Sequence, residues 1–179
     1  MKSRLARDIG CVAAWTFYRR TVAGVLRRLG RDGRWQPWLA ITPDYGGGDP
    51  WPRNWRTIGQ GGGDLGRRMH RAMRALPPGP AIIVGTDIPD LGAAHIAHAF
   101  RALGDHDAVF GPAADGGYWL VGFRRSPRIP DAFEGVRWST EHALEDTLAN
   151  FVGLDVAFLE TLEDVDDGAA LSRWRQGWR

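Results

Sequence analysis

The sequence contains very little cysteine and no long apolar run. Cys11 is the single cysteine, which excludes an internal disulfide and a cysteine-based zinc site. No apolar stretch approaches the ~20 residues that a membrane-spanning helix needs. The basic N-terminus also lacks the apolar segment of a signal peptide. We therefore expect a cytoplasmic protein without a membrane span.

The charges are unevenly distributed, although the net charge is only +2. Residues 1–80 contain fifteen Lys or Arg and five Asp or Glu, whereas residues 81–179 contain eight and sixteen. A basic half can indicate nucleic-acid binding. Here the arginines are spread along predicted helices, which is typical of solvated helix faces. We expect no nucleic-acid partner.

The pattern of apolar residues predicts one α/β domain over residues 1–179, with 44% hydrophobic residues and strands alternating with helices. The fold class is a three-layer α/β/α sandwich with a mixed, largely parallel central sheet. Residues 81–85 form a continuous apolar run, typical of a central parallel strand. Predicted helices cover residues 8–30 and 93–103. Further helices are predicted to begin after residue 64, after residue 139 or 140, and after residue 167. Predicted strands cover residues 35–42, 107–110, 118–123 and 156–159, and residues 43–58 are predicted to be a long loop.

Asp87 follows the strand at residues 81–85, in the string Gly85-Thr86-Asp87-Ile88-Pro89-Asp90-Leu91. At the carboxyl end of a central strand its carboxylate faces the ligand crevice of an α/β sheet. Oxygen ligands of this kind suit Mg²⁺ or Mn²⁺. The alternative is that Asp87 caps a turn. Asp90 is predicted to cap the next helix.

Asp115 lies in a second strand-to-turn string, Asp115-Gly116-Gly117-Tyr118-Trp119. Its two glycines permit close backbone approach to a ligand. The two aromatic residues offer a wall for stacking on a sugar or base. The alternative is a hairpin turn followed by core aromatics.

Two further segments are candidates for ligand contacts. Residues 60–66 form a glycine-rich entry to a predicted helix, where backbone N–H groups can contact an anion or a base. Residues 163–167 form an acidic cluster that either supplies a second metal ligand or caps the last helix.

Read together, these strings resemble DUF2064, a family also described as radical-SAM/selenodomain-associated transferase 1. The resemblance also covers Lys2–Ala6, Phe110–Ala113 and Trp138–Thr140. The family is related to the nucleotide-diphospho-sugar transferases of GT-A fold, and more distantly to nucleotidyltransferases.

The resemblance implies roles for single residues. Asp87 resembles the metal-binding acid of the GT-A fold, and Asp166 lies where some relatives place a second metal ligand. The segment from Gln60 to Gly66 resembles the part that contacts the nucleotide base. The nucleotide-binding residues are then Lys2, Arg4, Gln60, Gly61, Gly63 and Thr86. The substrate-binding residues are Gly116, Gly117, Tyr118 and Trp119.

The sequence departs from the family pattern at its N-terminus. The pattern begins with a strand and a loop resembling Phe-Ala-Lys-x-Pro-x-x-Gly, ahead of a Lys-Thr-Arg-Leu string. The present sequence begins inside that string, at Lys2. We therefore expect the first strand and most of the phosphate-facing loop to be missing from it.

The resemblance implies a glycosyltransferase that uses Mg²⁺ or Mn²⁺ and a nucleotide-diphosphate sugar. Lys2 and Arg4 would counter phosphate charge, and Asp115 is the candidate base for the acceptor proton. Two alternatives stay open: nucleotidyl transfer of guanylyl or cytidylyl type, and a non-catalytic nucleotide-binding domain.

Overall fold

The computed structural model describes residues 3–42, 51–125 and 131–177. Its helices are α1 (Ser3–Ile9), α2 (Cys11–Leu29), α3 (Leu65–Ala75), α4 (Ala93–Asp105), α5 (Ala143–Ala149) and α6 (Gly168–Gln176). Its strands are β1 (Trp38–Ile41), β2 (Arg56–Gly59), β3 (Ala81–Val84), β4 (Ala108–Pro112), β5 (Tyr118–Phe123) and β6 (Val156–Phe158). Among the described helices, none has the length and apolar character to cross a bilayer.

The described strands form a mixed sheet in two pieces. β1 pairs with β2 in parallel. The other four strands have the order β3-β5-β4-β6, with β5 antiparallel to β3 and β4, and β6 parallel to β4. The expectation of a mixed α/β sheet is confirmed. The expectation that residues 81–85 form a central parallel strand is wrong for the described residues, because the neighbour of β3 there is the antiparallel β5.

Helices cover both faces of the four-stranded piece. Successive residues of a strand point to opposite faces. Ile82 and Val84 therefore pack with Val25 and Leu29 of α2 in one core cluster. On the other face, Ala81 and Ile83 pack with the α3 side chains in a second cluster. These two clusters establish the three layers.

Capping residues define several helix ends. The Asp64 carboxylate accepts from the Arg67 N–H at 2.8 Å at the start of α3. The Asp167 carboxylate accepts from the Ala170 N–H at 2.7 Å at the start of α6. Gly30 is the C-cap of α2. An aspartate at each start satisfies an N–H group that has no partner within the helix.

Other boundaries differ from the prediction. The helix predicted over residues 8–30 is interrupted at Gly10, and glycine is a poor residue for a helix interior. The helix predicted after residue 139 or 140 begins only at Ala143. Asp90 does not cap α4, whose N-cap is Gly92. The Asp90 carboxylate instead accepts from the Trp174 indole N–H at 3.1 Å.

The sequence also predicted no strand between residues 43 and 58. β2 covers Arg56–Gly59 and pairs with β1. Its four residues include an exposed Arg and Thr and end in Gly, so they lack the apolar pattern of a buried strand. The rest of the predicted loop lies partly outside the described residues, at 43–50.

Candidate functional site

One large cleft lies between the β1–β2 piece and the β3 edge, with a volume of about 860 Å³. Ligand pockets commonly have volumes of about 300–1,000 Å³. One part of its lining is polar and includes several of the predicted site residues. They are Arg4, Gln60, Thr86, Asp87, Asp115, Gly117, Tyr118, Trp119 and Asp166. The other part is apolar and belongs to α2, α3, β1 and β3.

The turn after β3 holds Asp87 at the cleft. Ile88 and Leu91 are buried, at 1% and 0% exposure, and anchor the turn in the core. The Arg28 guanidinium on α2 donates to the Leu91 carbonyl at 2.8 Å and to the Pro89 carbonyl at 2.6 Å. These contacts fix the backbone on the C-terminal side of Asp87. Its carboxylate therefore sits on a rigid support.

The segment before α6 brings two more carboxylates to the same place. Val165 is 1% exposed and packs with Leu5 and Leu171. In an extended segment, alternate residues share a side. Asp164 and Asp166 accordingly flank the buried valine and line the cleft.

Asp87, Asp164 and Asp166 form a cluster of three carboxylates. One oxygen of each lies within 4.8 Å of the others, and all three side chains are half-buried. Oxygen ligands from two separate segments fit a hard divalent cation such as Mg²⁺ or Mn²⁺. The sequence had singled out Asp87 and Asp166, and the structure brings them together. It had not singled out Asp164, although the Asp-Val-Asp alternation was a usable signal.

Asp115 lies in a tight turn between β4 and β5. Its carboxylate accepts from the Gly117 N–H at 3.0 Å. The turn closes with a bond from the Ala113 N–H to the Gly117 carbonyl, also 3.0 Å. Gly116 is not among the cleft-lining residues. Its carbonyl accepts from the Leu144 N–H at 3.1 Å and so ties the turn to α5.

The two aromatic residues after this turn are held largely by contacts within the protein. Trp119 is only 2% exposed, and its indole N–H donates to the Glu160 carbonyl at 3.1 Å. Its ring packs against Gly111 in the core. Trp119 also lines the cleft, and its role in substrate binding stays a prediction. Tyr118 is half-buried, packs edge-on against Phe110 and accepts from the Thr147 hydroxyl at 3.4 Å. Burial raises the pKa of the Tyr118 phenol, which stays neutral.

Sequence reasoning also missed the segment after Trp138 as part of the cleft. Ser139 and Thr140 both line it. Ser139 has φ of 62°, a conformation that L residues rarely adopt. Such outliers persist where the surrounding structure holds them, and they concentrate at functional sites. Here the Arg137–Asp146 ion pair at 2.7 Å ties the segment to α5.

The glycine-rich turn before α3 is held by two arginines of that helix. The Arg71 guanidinium donates to the carbonyls of Gln60 and Gly62, and Arg68 Nε donates to the Gly63 carbonyl at 2.9 Å. Gln60 reaches the cleft, whereas Gly61 and Gly63 are not among its lining residues. Lys2, the remaining predicted phosphate ligand, lies outside the described residues. The nucleotide-contact roles of these residues stay predictions.

Comparisons with known proteins concern the family and the fold of this chain. Residues 25–140 match the family model described as "Uncharacterized protein conserved in bacteria (DUF2064)". The fold is similar to the crystal structure of a "putative nucleotide-diphospho-sugar transferase" from Desulfovibrio desulfuricans G20. That similarity has a TM-score of 0.90 and 31% identity, over 99% of this chain and 80% of the other. No curated protein matches. The chain belongs to the DUF2064 family.

Proposed function

We propose that this protein is a metal-dependent glycosyltransferase that uses a nucleotide-diphosphate sugar as donor. The observation that carries the proposal is the cluster of Asp87, Asp164 and Asp166 at the polar part of the cleft. Ligands of α/β sheets bind outside the carboxyl ends of the strands, and Asp87 follows β3 at such an end. The structural neighbour, a "putative nucleotide-diphospho-sugar transferase", supports the same general class.

The three carboxylates are the residues that would hold Mg²⁺ or Mn²⁺. They offer hard oxygen atoms within 4.8 Å of one another, which is the ligand type that these cations prefer. When bound, the cation supplies positive charge next to the diphosphate as the nucleotide leaves. The Arg28 side chain donates hydrogen bonds to two carbonyls of the turn that follows Asp87. The turn therefore holds the Asp87 carboxylate in place even when no sugar nucleotide is bound.

Positive side chains in the cleft are suited to the phosphate groups. Arg4 and Arg68 both line it, and a guanidinium offers several donors in a geometry that matches phosphate oxygens. Arg68 is also held by its bond to the Gly63 carbonyl. We assign the two arginines to the donor phosphates, together with Lys2 as predicted from the family resemblance.

Asp115 is the group that we assign to the acceptor. Sugar transfer to a hydroxyl needs a base that takes the acceptor proton when the new bond forms. Asp115 lines the same cleft as the carboxylate cluster, and its bond to the Gly117 N–H fixes its orientation. Thr86, Ser139 and Thr140 also line the cleft and are candidates for hydrogen bonds to donor or acceptor hydroxyls.

The test is the unfolding temperature of the protein with UDP-, GDP-, ADP- and CDP-linked sugars, each with and without Mn²⁺. A ligand at about one hundred times its Kd stabilises by about 2.7 kcal/mol, which is about 5–11 °C for a domain of this size. We expect one nucleotide class to give such a shift only when Mn²⁺ is present. Stabilisation by nucleoside triphosphates but by no sugar nucleotide would favour nucleotidyl transfer instead.

Two variants make the result specific. Asp87→Asn should remove the Mn²⁺-dependent shift, because it replaces a charged oxygen ligand with a neutral amide. Asp105→Asn is the matched control, since Asp105 is an exposed residue at the end of α4, and it should retain the full shift. An unchanged shift in Asp87→Asn, or no shift with any nucleotide, would refute the proposal.

A further inference from the structure

One side of α2 is exposed and carries both basic and apolar side chains. Residues that follow one another at three- and four-residue steps share a side of a helix. On α2 such steps join a set of residues that are all exposed: Val12, Trp15, Arg19, Arg20, Ala23 and Arg27. The opposite side of the helix, with Ala14 and Val25, is buried. We call the exposed set the outer face of α2.

The apolar side chains of the outer face are open to solvent. Val12 is 80% exposed and Trp15 is 51% exposed. The Arg19 guanidinium carbon lies 4.7 Å from the centroid of the Trp15 ring, so a positive charge rests against the exposed indole. A single exposed apolar residue is ordinary on a protein surface. An indole and a valine one turn apart and next to arginines are instead typical of helices that lie on a membrane surface.

No described carboxylate balances the arginines of the outer face. None of the 19 residues of α2 is acidic. The acids that flank the helix in the sequence are engaged elsewhere, because Asp8 accepts from the Gly168 N–H at 2.8 Å and Asp32 pairs with Arg34. The described arginines that form ion pairs with carboxylates lie on other segments: Arg34, Arg67, Arg124, Arg137 and Arg173. The outer face therefore presents its positive charge to solvent.

An anionic membrane surface fits this face better than a nucleic acid or a second copy of the chain does. Basic side chains near anionic lipids each strengthen binding by about fivefold, and the boundary between headgroups and acyl chains buries exposed apolar side chains. A nucleic acid backbone would neutralise the arginines but offers no apolar surroundings for Val12. A second copy placed on the face by a twofold axis would set arginines against arginines.

The outer face also adjoins the cleft. Tyr18 follows Trp15 by three residues, which makes the two neighbours on the helix surface, and Tyr18 lines the cleft together with Ser3 and Arg4. We propose that the outer face of α2 binds the surface of an anionic membrane, with Val12 and Trp15 in the headgroup region and the arginines on the lipid phosphates. The bound membrane then borders the rim of the cleft.

The experiment is co-sedimentation of the protein with phosphatidylcholine vesicles that contain either no anionic lipid or about 30% phosphatidylglycerol, at about 0.1 M salt. Arg19→Gln combined with Arg20→Gln removes two charges from the outer face. Arg74→Gln combined with Arg101→Gln is the matched control, because these arginines are exposed on α3 and α4 and the net charge changes equally. Trp15→Gln removes the indole. Glutamine keeps a high helix propensity in every variant.

We expect the parent to bind the anionic vesicles at least about tenfold more tightly than the neutral ones. At about fivefold for each arginine, the Arg19 and Arg20 pair of substitutions should weaken binding about 25-fold. The Arg74 and Arg101 pair should weaken it less than about threefold, since those charges lie on other helices. Trp15→Gln should weaken it at least about fivefold, because the indole no longer enters the headgroup region.

Three results would overturn the proposal. The first is no binding to the anionic vesicles, and the second is an equal loss for the two pairs of arginine substitutions, which would leave only an effect of net charge. The third is unchanged binding in Trp15→Gln. A labelled single-stranded RNA that binds through Arg19 and Arg20 while vesicles do not bind would assign the face to nucleic acid instead. The readout needs no nucleotide sugar or metal, so its outcome is independent of the proposed enzymatic activity.

Discussion

Substituting Gly116 by alanine should destabilise the protein strongly, because the turn after Asp115 has no room for a side chain there. Gly116 has φ of +86°, and a Cβ on it would lie 2.2 Å from the Glu141 carbonyl oxygen. The left-handed conformation costs a residue with a Cβ about 1–2 kcal/mol. Overpacking against backbone that cannot rotate away adds about 1–3 kcal/mol. We expect a loss of about 3 kcal/mol in the free energy of unfolding.

Two other glycines are matched controls in the same urea-unfolding assay. Gly135 also has a positive φ, +69°, but a Cβ there meets nothing within 4 Å, so Gly135→Ala should lose only the conformational ~1–2 kcal/mol. A Cβ on Gly117 meets only the Asp115 carboxylate, at 3.2 Å, which a shift of a few tenths of an ångström relieves, and Gly117→Ala should have a small effect. If Gly116→Ala and Gly135→Ala lowered the free energy of unfolding equally, the close contact between this turn and residue 141 would be refuted.

Three further predictions concern stability. Hydrogen bonds from the Arg137 side chain hold the pKa of Asp146 well below its usual value. The Arg137–Asp146 pair therefore contributes its full stabilisation at pH values above the pKa of an aspartate in the unfolded chain, about 3.9, and this stabilisation decreases as the pH falls below that value. Urea titrations should show Asp146→Asn less stable than the parent at pH 7, with the difference shrinking below about pH 4; a constant difference would contradict this. Trp119→Phe removes the indole N–H that donates to the Glu160 carbonyl and should cost about 0.5–1.5 kcal/mol for that hydrogen bond without changing nucleotide affinity in calorimetry; weakened affinity would support a stacking role. Arg125→Met removes bonds to the Met73 and Gly79 carbonyls at the end of α3 and should cost about 1.5–3 kcal/mol, whereas the exposed Arg101→Met should cost almost nothing; similar losses would argue against this anchoring.

The sequence predicted the Asp87 turn well because its determinants are local. An apolar run, a small residue and an acid in succession place a carboxylate at the end of a strand, and the structure puts Asp87 there. The caps Asp64 and Asp167 are local in the same way. Each depends on a hydrogen bond to an N–H three residues later.

Features that depend on residues distant in the sequence could not be predicted from the sequence. Trp119 lies in a strand whose sequence is apolar throughout, so alternation gives no sign of which face is covered. Its burial depends on Gly111 and Glu160, which lie on other segments. Likewise the apolar run of β3 does not reveal its partner strands. The split of the sheet follows from how the described strands are arranged in space.

The acidic cluster at residues 163–167 depends on both local and distant determinants. Four acids in five residues, from Glu163 to Asp167, do not by themselves indicate which carboxylates meet Asp87. The burial of Val165 settles the question, because it orients Asp164 and Asp166 together and leaves Asp167 to cap α6. That burial depends on packing against Leu5 and Leu171 from opposite ends of the chain.

The most direct test of the metal site is Mn²⁺ binding by the protein, followed through the electron paramagnetic resonance signal of free Mn²⁺. We predict one bound Mn²⁺ per chain in the parent and in Asp105→Asn. Asp164→Asn and Asp166→Asn should each weaken that binding by at least about tenfold. Undiminished binding in both of these variants would contradict a metal site built from Asp87, Asp164 and Asp166.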